Sequence, residues 1–431
     1  MAGKPMSMGL IRTMLAEPSY GWATAETKGK GADSKLFVPS WSQIISEWCK
    51  NVNVFADHKN WLAAYCWTMT FGLQILNFMF WSWYISPKLL CIWFIYAMIA
   101  MGSANTLWVH RYATHRAYEF SSGVLGSLAK ILVQNLTLYL VPEEVYVPSH
   151  HVHHAIPDQP GDPYHPDGGA LYCFLADANH QQINRNLSKE DYLQVSDMLD
   201  HVPMYRNTYE QYCYWGTISH PADLMTRFAL NWSAQYFVWY MIGGHPLACC
   251  IMGAGGFWIL GIRTFNYDSH GQGEDRHQEG VDFYPVSSSI NQFFPGTVAG
   301  EWHNNHHMFP RSARSGFQWW QMDIPFAAVT VLNAFGLVSS FIDDKPKFQK
   351  RIKEAKPLVK KSDEPPLPFD GRQMTGIGGI LWGCAFLFSC CFAEHALHKD
   401  VNLWLALISL VLVLVDTANM SSAIERRKAT Q

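Results

Sequence analysis

Among the stretches of this chain that hold no Asp, Glu, Lys or Arg, three decide what it can fold into: Trp61 to Pro87, Leu89 to Val109 and Phe228 to Ile262. A bilayer core of about 30 Å is crossed by roughly 20 apolar residues in a helix. Inside lipid the backbone has no water to bond, so a helix that satisfies its own amides is the natural form for such runs. Pro87 and Lys88 mark a tight turn, so the first two runs predict a helical hairpin with spans at about 61–84 and 88–110. Gly243, Gly244 and Pro246 interrupt the third run and predict a second hairpin, at about 221–242 and 246–268. Tight turns on the far side leave both ends of each hairpin on the near side.

Other apolar segments are read differently. Val124 to Val141 lies between two histidine clusters, and a single crossing there puts those clusters on opposite faces, so it is expected to lie at the interface. Ile324 to Ile342 is uncharged, but spanning there exports Asp343 to Arg372, which carries nine Lys and Arg. That opposes the positive-inside bias, so this segment is expected as an amphipathic helix on the cytoplasmic surface. Gln373 to Ala393 and Val401 to Ile424 predict a third hairpin, for six spans in all. The expected organisation is an amino-terminal cytoplasmic segment (1–58), a core (59–352) whose cytoplasmic cap is residues 111–220 and 269–352, a basic linker (353–372) and a carboxy-terminal hairpin (373–431). The fold class is all-α: a membrane helical bundle of hairpins, with a cytoplasmic helical cap holding a two-metal site.

Composition agrees. Charged residues make up 16% of the chain, against roughly 25% in soluble domains. Aromatics reach 14%. The formal net charge of −3 and the lack of a basic stripe point away from nucleic acid. Most of the ten cysteines sit in apolar runs without a CxxC pair, where they pack as small hydrophobes. The amino-terminal residues show no apolar segment with a secretory cleavage site, so the amino terminus is expected in the cytoplasm.

Chemistry concentrates in the histidines. They cluster as HRYATH (His110, His115), HHVHH (His150, His153, His154) and HNNHH (His303, His306, His307), with His270 in NYDSH. Each cluster follows a predicted span or cap segment on one side. Imidazole is the commonest protein ligand for transition metals, and this set exceeds what one ion can use. On a helix at about 100° per residue, each HxxHH triplet fans over roughly 100° of one face. Asn266 and His270, four apart, also share a face. His110 and His115, five apart, diverge by about 140°, which suits straddling two metals better than closing on one. His151 and His165 are not counted as ligands.

The pattern resembles the membrane-bound fatty acid desaturases, whose motifs are HRxxxxH, HxxHH and HxxHH in this order, between hairpins. The acyl-CoA type adds an asparagine four before a histidine at the inner end of the fourth span, matched here by Asn266 and His270. The resemblance covers about Trp61 to Ile352. It implies that His110, His115, His150, His153, His154, His270, His303, His306 and His307 ligate two irons, and that Asn266 holds a water on one of them. Asp162, in GDPY, matches the family's ADPH region and is expected to orient a ligand. Asp268 and Glu301 are candidates for the same role only through their nearness in sequence. The family often has GEGWHNxHH at the third motif, whereas Gly300-Glu301-Trp302-His303 here lacks one glycine.

Methylene C–H bonds do not yield to acid and base side chains, so an enzyme acting on lipid tails needs metal redox chemistry and O₂. The resemblance implies desaturation of an acyl chain, carried on coenzyme A or a lipid, with an external ferredoxin or cytochrome b5 as electron donor. Trp108, Trp258 and Trp302 are candidates to line the acyl tunnel. Two rival readings are a related lipid hydroxylase or acetylenase, and a histidine-rich membrane metal transporter or sensor. Transport calls for ligands near mid-span, whereas these lie at helix ends. The expected location is a membrane with the metals on the cytoplasmic side, a bacterial inner membrane before endoplasmic reticulum.

Overall fold

The computed structural model describes residues 6–23, 37–291 and 301–354, and these are mostly helical. The carboxy-terminal hairpin and nearly all of the basic linker lie outside them. Among the described residues, two helices are long and apolar enough to cross a membrane, Pro87–Thr114 and Pro221–Ser269. Before them, Trp61–Met79 runs on through a π-helical segment to Tyr84, so a helix occupies the residues of the first expected span. Ser86 caps the next helix and Pro87 occupies its first turn, where a missing N–H costs nothing.

The second long helix is two helices. Gly243 (φ −146°) and Gly244 (φ 68°) leave helical geometry just before Pro246, a turn that only glycine enters freely. The chain reverses there. Asn231, before the break, accepts a hydrogen bond from Tyr139 N at 2.7 Å, and Gly255, after it, packs on Leu138. Glycines also set the helix spacing: a Cβ on Gly253 would lie 2.8 Å from the Cα of Asn77, and Gly256 faces Leu73.

The two remaining apolar segments form helices of eleven residues each, Val124–Gln134 and Ile324–Ala334. At about 1.5 Å per residue neither reaches across a bilayer. Val124, Leu125, Ile131 and Leu132 on the first, and Val331 on the second, stay exposed. The all-α expectation has one correction: Tyr118–Phe120 pairs antiparallel with Val338–Phe341, with Tyr118 opposite Phe341. This ladder ties the end of the first histidine motif to the segment after the third. A large apolar core including Tyr112, Val147, Val152 and Tyr192 lies beneath the Glu143–Ala155 helix, and the amino-terminal helix Met8–Thr13 packs on it.

Candidate metal centre

Each histidine arrives on a helix end. His110 lies in a π-helical stretch, Thr106–Thr114, which His115 closes. His150, His153 and His154 occupy the last turns of Glu143–Ala155, and His303, His306 and His307 the short helix His303–Met308. His270 follows Phe265–Ser269 directly. These imidazoles meet in two groups: His110, His115, His150, His154 and His306, and His153, His270, His303 and His307. Within each group the ligand atoms lie within 4.8 Å of one another. Neighbours on one helix serve different groups, since His153 and His154 part company, as do His306 and His307.

One expectation is overturned. His110 and His115 do not straddle the two groups but join the same one, with ring centroids 4.9 Å apart. The 140° divergence assumed α-helical turns. In the π-helix the i to i+5 bond, His115 N to His110 O at 3.1 Å, brings the two residues to one side.

Nitrogen geometry fits metal ligation. The Nε2 atoms of His110 and His150 are 2.9 Å apart, those of His154 and His306 2.8 Å, and those of His270 and His303 2.9 Å. Two imidazoles bound at about 2.1 Å and at right angles on one ion place their nitrogens roughly 3.0 Å apart. His115 Nε2 is buried and has no hydrogen-bond partner. Three outer Nδ1 atoms face carboxylates closely: His110 meets Glu301 at 2.8 Å, His153 meets Asp162 at 3.0 Å, and His270 meets Asp158 at 2.7 Å. An Nδ1–H donated outward leaves the Nε2 lone pair aimed inward. Burial, reinforced by neighbouring imidazoles, holds His115, His150, His154, His303, His306 and His307 well below the usual histidine range. Burial also pushes His153 down, but the Asp162 carboxylate outweighs it and the net shift is upward. An all-imidazole donor set suits iron, zinc or copper.

Glu301 and Asp162 thus each lie against a histidine of these groups. Asp268 does not: it accepts from Gln272 Nε2 at 2.9 Å, and the carboxylate on His270 is Asp158. Asp158 escaped notice in HHAIPD because nothing in its spacing ties it to a histidine more than a hundred residues away. It sits at φ 57°, a conformation that aspartate tolerates better than most residues, and Ser288 N and Oγ donate to it at 2.7 and 2.9 Å. His151 stays outside both groups, against Thr114 O, and so does His165.

A cavity of about 160 Å³ opens beside His110, His150 and His303. Leu62, Val109, Leu140, Val141, Trp258 and Ile259 make much of its wall apolar, and Asn266 and Tyr146 also line it. Tyr146 stacks on His150 with centroids 4.9 Å apart. Of the three candidate tryptophans only Trp258 lines this cavity. Trp108 turns away to donate to Glu143 at 2.8 Å and stack on Tyr112, and Trp302 donates to Met322 O.

The family model described as fatty acid desaturase matches residues 85–329, more than half of the chain. A palmitoyl-monogalactosyldiacylglycerol delta-7 desaturase of Arabidopsis thaliana is 29% identical over 240 residues, 54% of this chain and 57% of that protein. A hex-5-enoyl-acyl-carrier protein acetylenase of Moorena producens is 25% identical over 306 residues, 62% of this chain and 86% of that one. An sn-1 stearoyl-lipid 9-desaturase of Anabaena variabilis is 25% identical, covering 56% of this chain and 79% of that protein. The chain spans only 57% of the length of the delta-7 desaturase, and 60% of that of a probable lipid desaturase of Arabidopsis thaliana to which it is 28% identical.

Proposed function

The chain belongs to the fatty acid desaturase family, and from that premise we propose that it is an O₂-dependent desaturase acting on an acyl chain at a pair of irons. The observation that carries this reading is two imidazole groups bordering one largely apolar cavity. His110, His115, His150, His154 and His306 would hold one iron, and His153, His270, His303 and His307 the other. Asn266, on the cavity wall, would place a water at an open position. When bound, the irons supply the O₂ activation that side chains cannot.

The protein's own part is placement. Glu301, Asp162 and Asp158 keep Nδ1 protonated on three ligands and so hold the rings in register. Apolar walls exclude bulk water and align a methylene pair beside His110 and His303. Removing two hydrogens while O₂ becomes two waters also consumes two electrons and two protons, which an external ferredoxin or cytochrome b5 supplies in this reading. The protein would be multi-pass, with this centre on the cytoplasmic side.

Expression in a host of defined lipid composition, followed by mass spectrometry of total fatty acids, tests the proposal. A loss of two mass units in one acyl species, abolished by His153→Ala, is expected. A gain of one oxygen without a new double bond would replace desaturation by hydroxylation. A triple bond would favour the acetylenase reading, which one relative's name supports.

A further inference from the structure

The proposed reaction draws electrons from outside, so a reduced carrier must approach the histidines through the protein's water-facing surface. We propose that the outward face of the Lys345–Glu354 helix docks an acidic one-electron carrier protein, an inference that rests on the desaturase reading above.

Position supports this first. Phe348 is buried on the inner face of that helix and stacks on Phe317 with centroids 4.8 Å apart. Both belong to one apolar cluster with Met308, the residue after His307. Arg351 lies 5.9 Å from the ring of Tyr284. Tyr284 in turn is clamped by Asn304, the neighbour of His303, through hydrogen bonds of 3.0 and 2.9 Å. Packed rings and hydrogen bonds therefore join this helix directly to the third histidine motif.

Charge supports it second. Residues 343–354 carry five basic side chains and three acidic ones. Asp343 is held by Arg314 and Asp344 by Lys347. Lys350, Arg351 and Lys353 are exposed, as is Arg311 in the loop after the third motif. Charge complementarity of this kind steers encounter and sets the salt dependence of association. A lipid surface is the less favoured occupant. Membrane-lying helices present an apolar face outward, but here Phe348 and the half-buried Ile352 point into the protein. The exposed apolar residues Val331 and Phe335 belong to a different element.

The test uses the full chain in nanodiscs of neutral lipid, with an acidic two-iron ferredoxin as the probe. The triple variant Lys350→Glu, Arg351→Glu, Lys353→Glu is expected to raise the ferredoxin Kd by about tenfold or more and to flatten its dependence on ionic strength. Lys189→Glu, on an exposed helix elsewhere, should leave both unchanged. An unaltered Kd and salt slope in the triple variant overturn the proposal. So does a loss confined to vesicles containing phosphatidylserine, which would make this a lipid-facing helix. Binding is read without turnover, so a chain that docks ferredoxin in this way but alters no fatty acid defeats the desaturase reading and leaves the docking surface standing.

Discussion

The carboxylate of Asp158 lies 2.7 Å from Nδ1 of His270, across more than a hundred residues of chain. The same aspartate is pinned by Ser288 from a third segment. His270 is the sole member of its group outside the two HxxHH motifs, so its aim depends on this contact. Asp158→Asn exchanges the carboxylate for an amide and weakens the hold on the Nδ1 proton. Loss of an outer-shell partner typically costs about 10- to 100-fold in metal affinity or activity. Metal analysis of the purified variant should show depletion of one of the two sites, and full occupancy in Asp158→Asn would show that His270 needs no such partner.

Arg111 follows His110 and is fully enclosed. It meets Asp323 at 2.9 Å, Ser315 Oγ at 2.9 Å and Glu301 at 3.9 Å. Asp323 also caps the Ile324–Ala334 helix through Phe326 N. Arg111→Met strands two buried carboxylates, at a cost of about 3–5 kcal/mol. The double variant Arg111→Met, Asp323→Leu should recover part of this, read as the thermal unfolding midpoint in detergent. Recovery is partial because Glu301 remains.

Glu144 shows a third dependence. Burial raises its pKa from 4.5 to about 7, although Ile218 N and Ser219 N both donate to it. The unfolded chain therefore gives up this proton first as pH rises. The folded state bears no penalty below pH 4.5, a growing one between 4.5 and about 7, and the whole of it above. At about 1.4 kcal/mol per pH unit the full penalty is on the order of 3 kcal/mol. Glu144→Gln should thus stabilise the protein at pH 8 and bring little at pH 4.5. Unfolding midpoints across that range check it, and a pH-independent difference would contradict the sign.

Gly253 offers a packing test. Its virtual Cβ lies 2.8 Å from backbone at Asn77, which cannot swing aside as a flexible side chain would. Gly253→Val should cost about 1–3 kcal/mol through overpacking. Gly72, whose Cβ would meet nothing within 4 Å, is the control: Gly72→Ala should leave the midpoint near that of the wild type.

Much of this was legible because hydrophobic period and ligand spacing are local properties. The hairpin turns at Pro87 and at Gly243-Gly244 and the fans of the two HxxHH motifs follow from residue type and helical geometry, whereas His270 was implicated as a ligand through the family resemblance. What escaped reading is long-range or departs from ideal geometry. The π-helical winding at Thr106–Thr114 rephased His115, and no pattern in HRYATH announces it. The exchange of Asp268 for Asp158 turns on how two loops meet. Trp108 and Trp302 found hydrogen-bond acceptors away from the cavity, a choice that sequence proximity does not reveal.

The splitting of adjacent imidazoles between the two groups has a structural corollary. His153 and His154 are joined by a single peptide unit, as are His306 and His307, so covalent links bound how far the two groups can move apart. Any tilt of either helix carries both centres with it. The protein thereby holds the spacing of its two imidazole groups apart from the cavity wall, so substitutions among the apolar lining residues can reshape the cavity without disturbing that gauge.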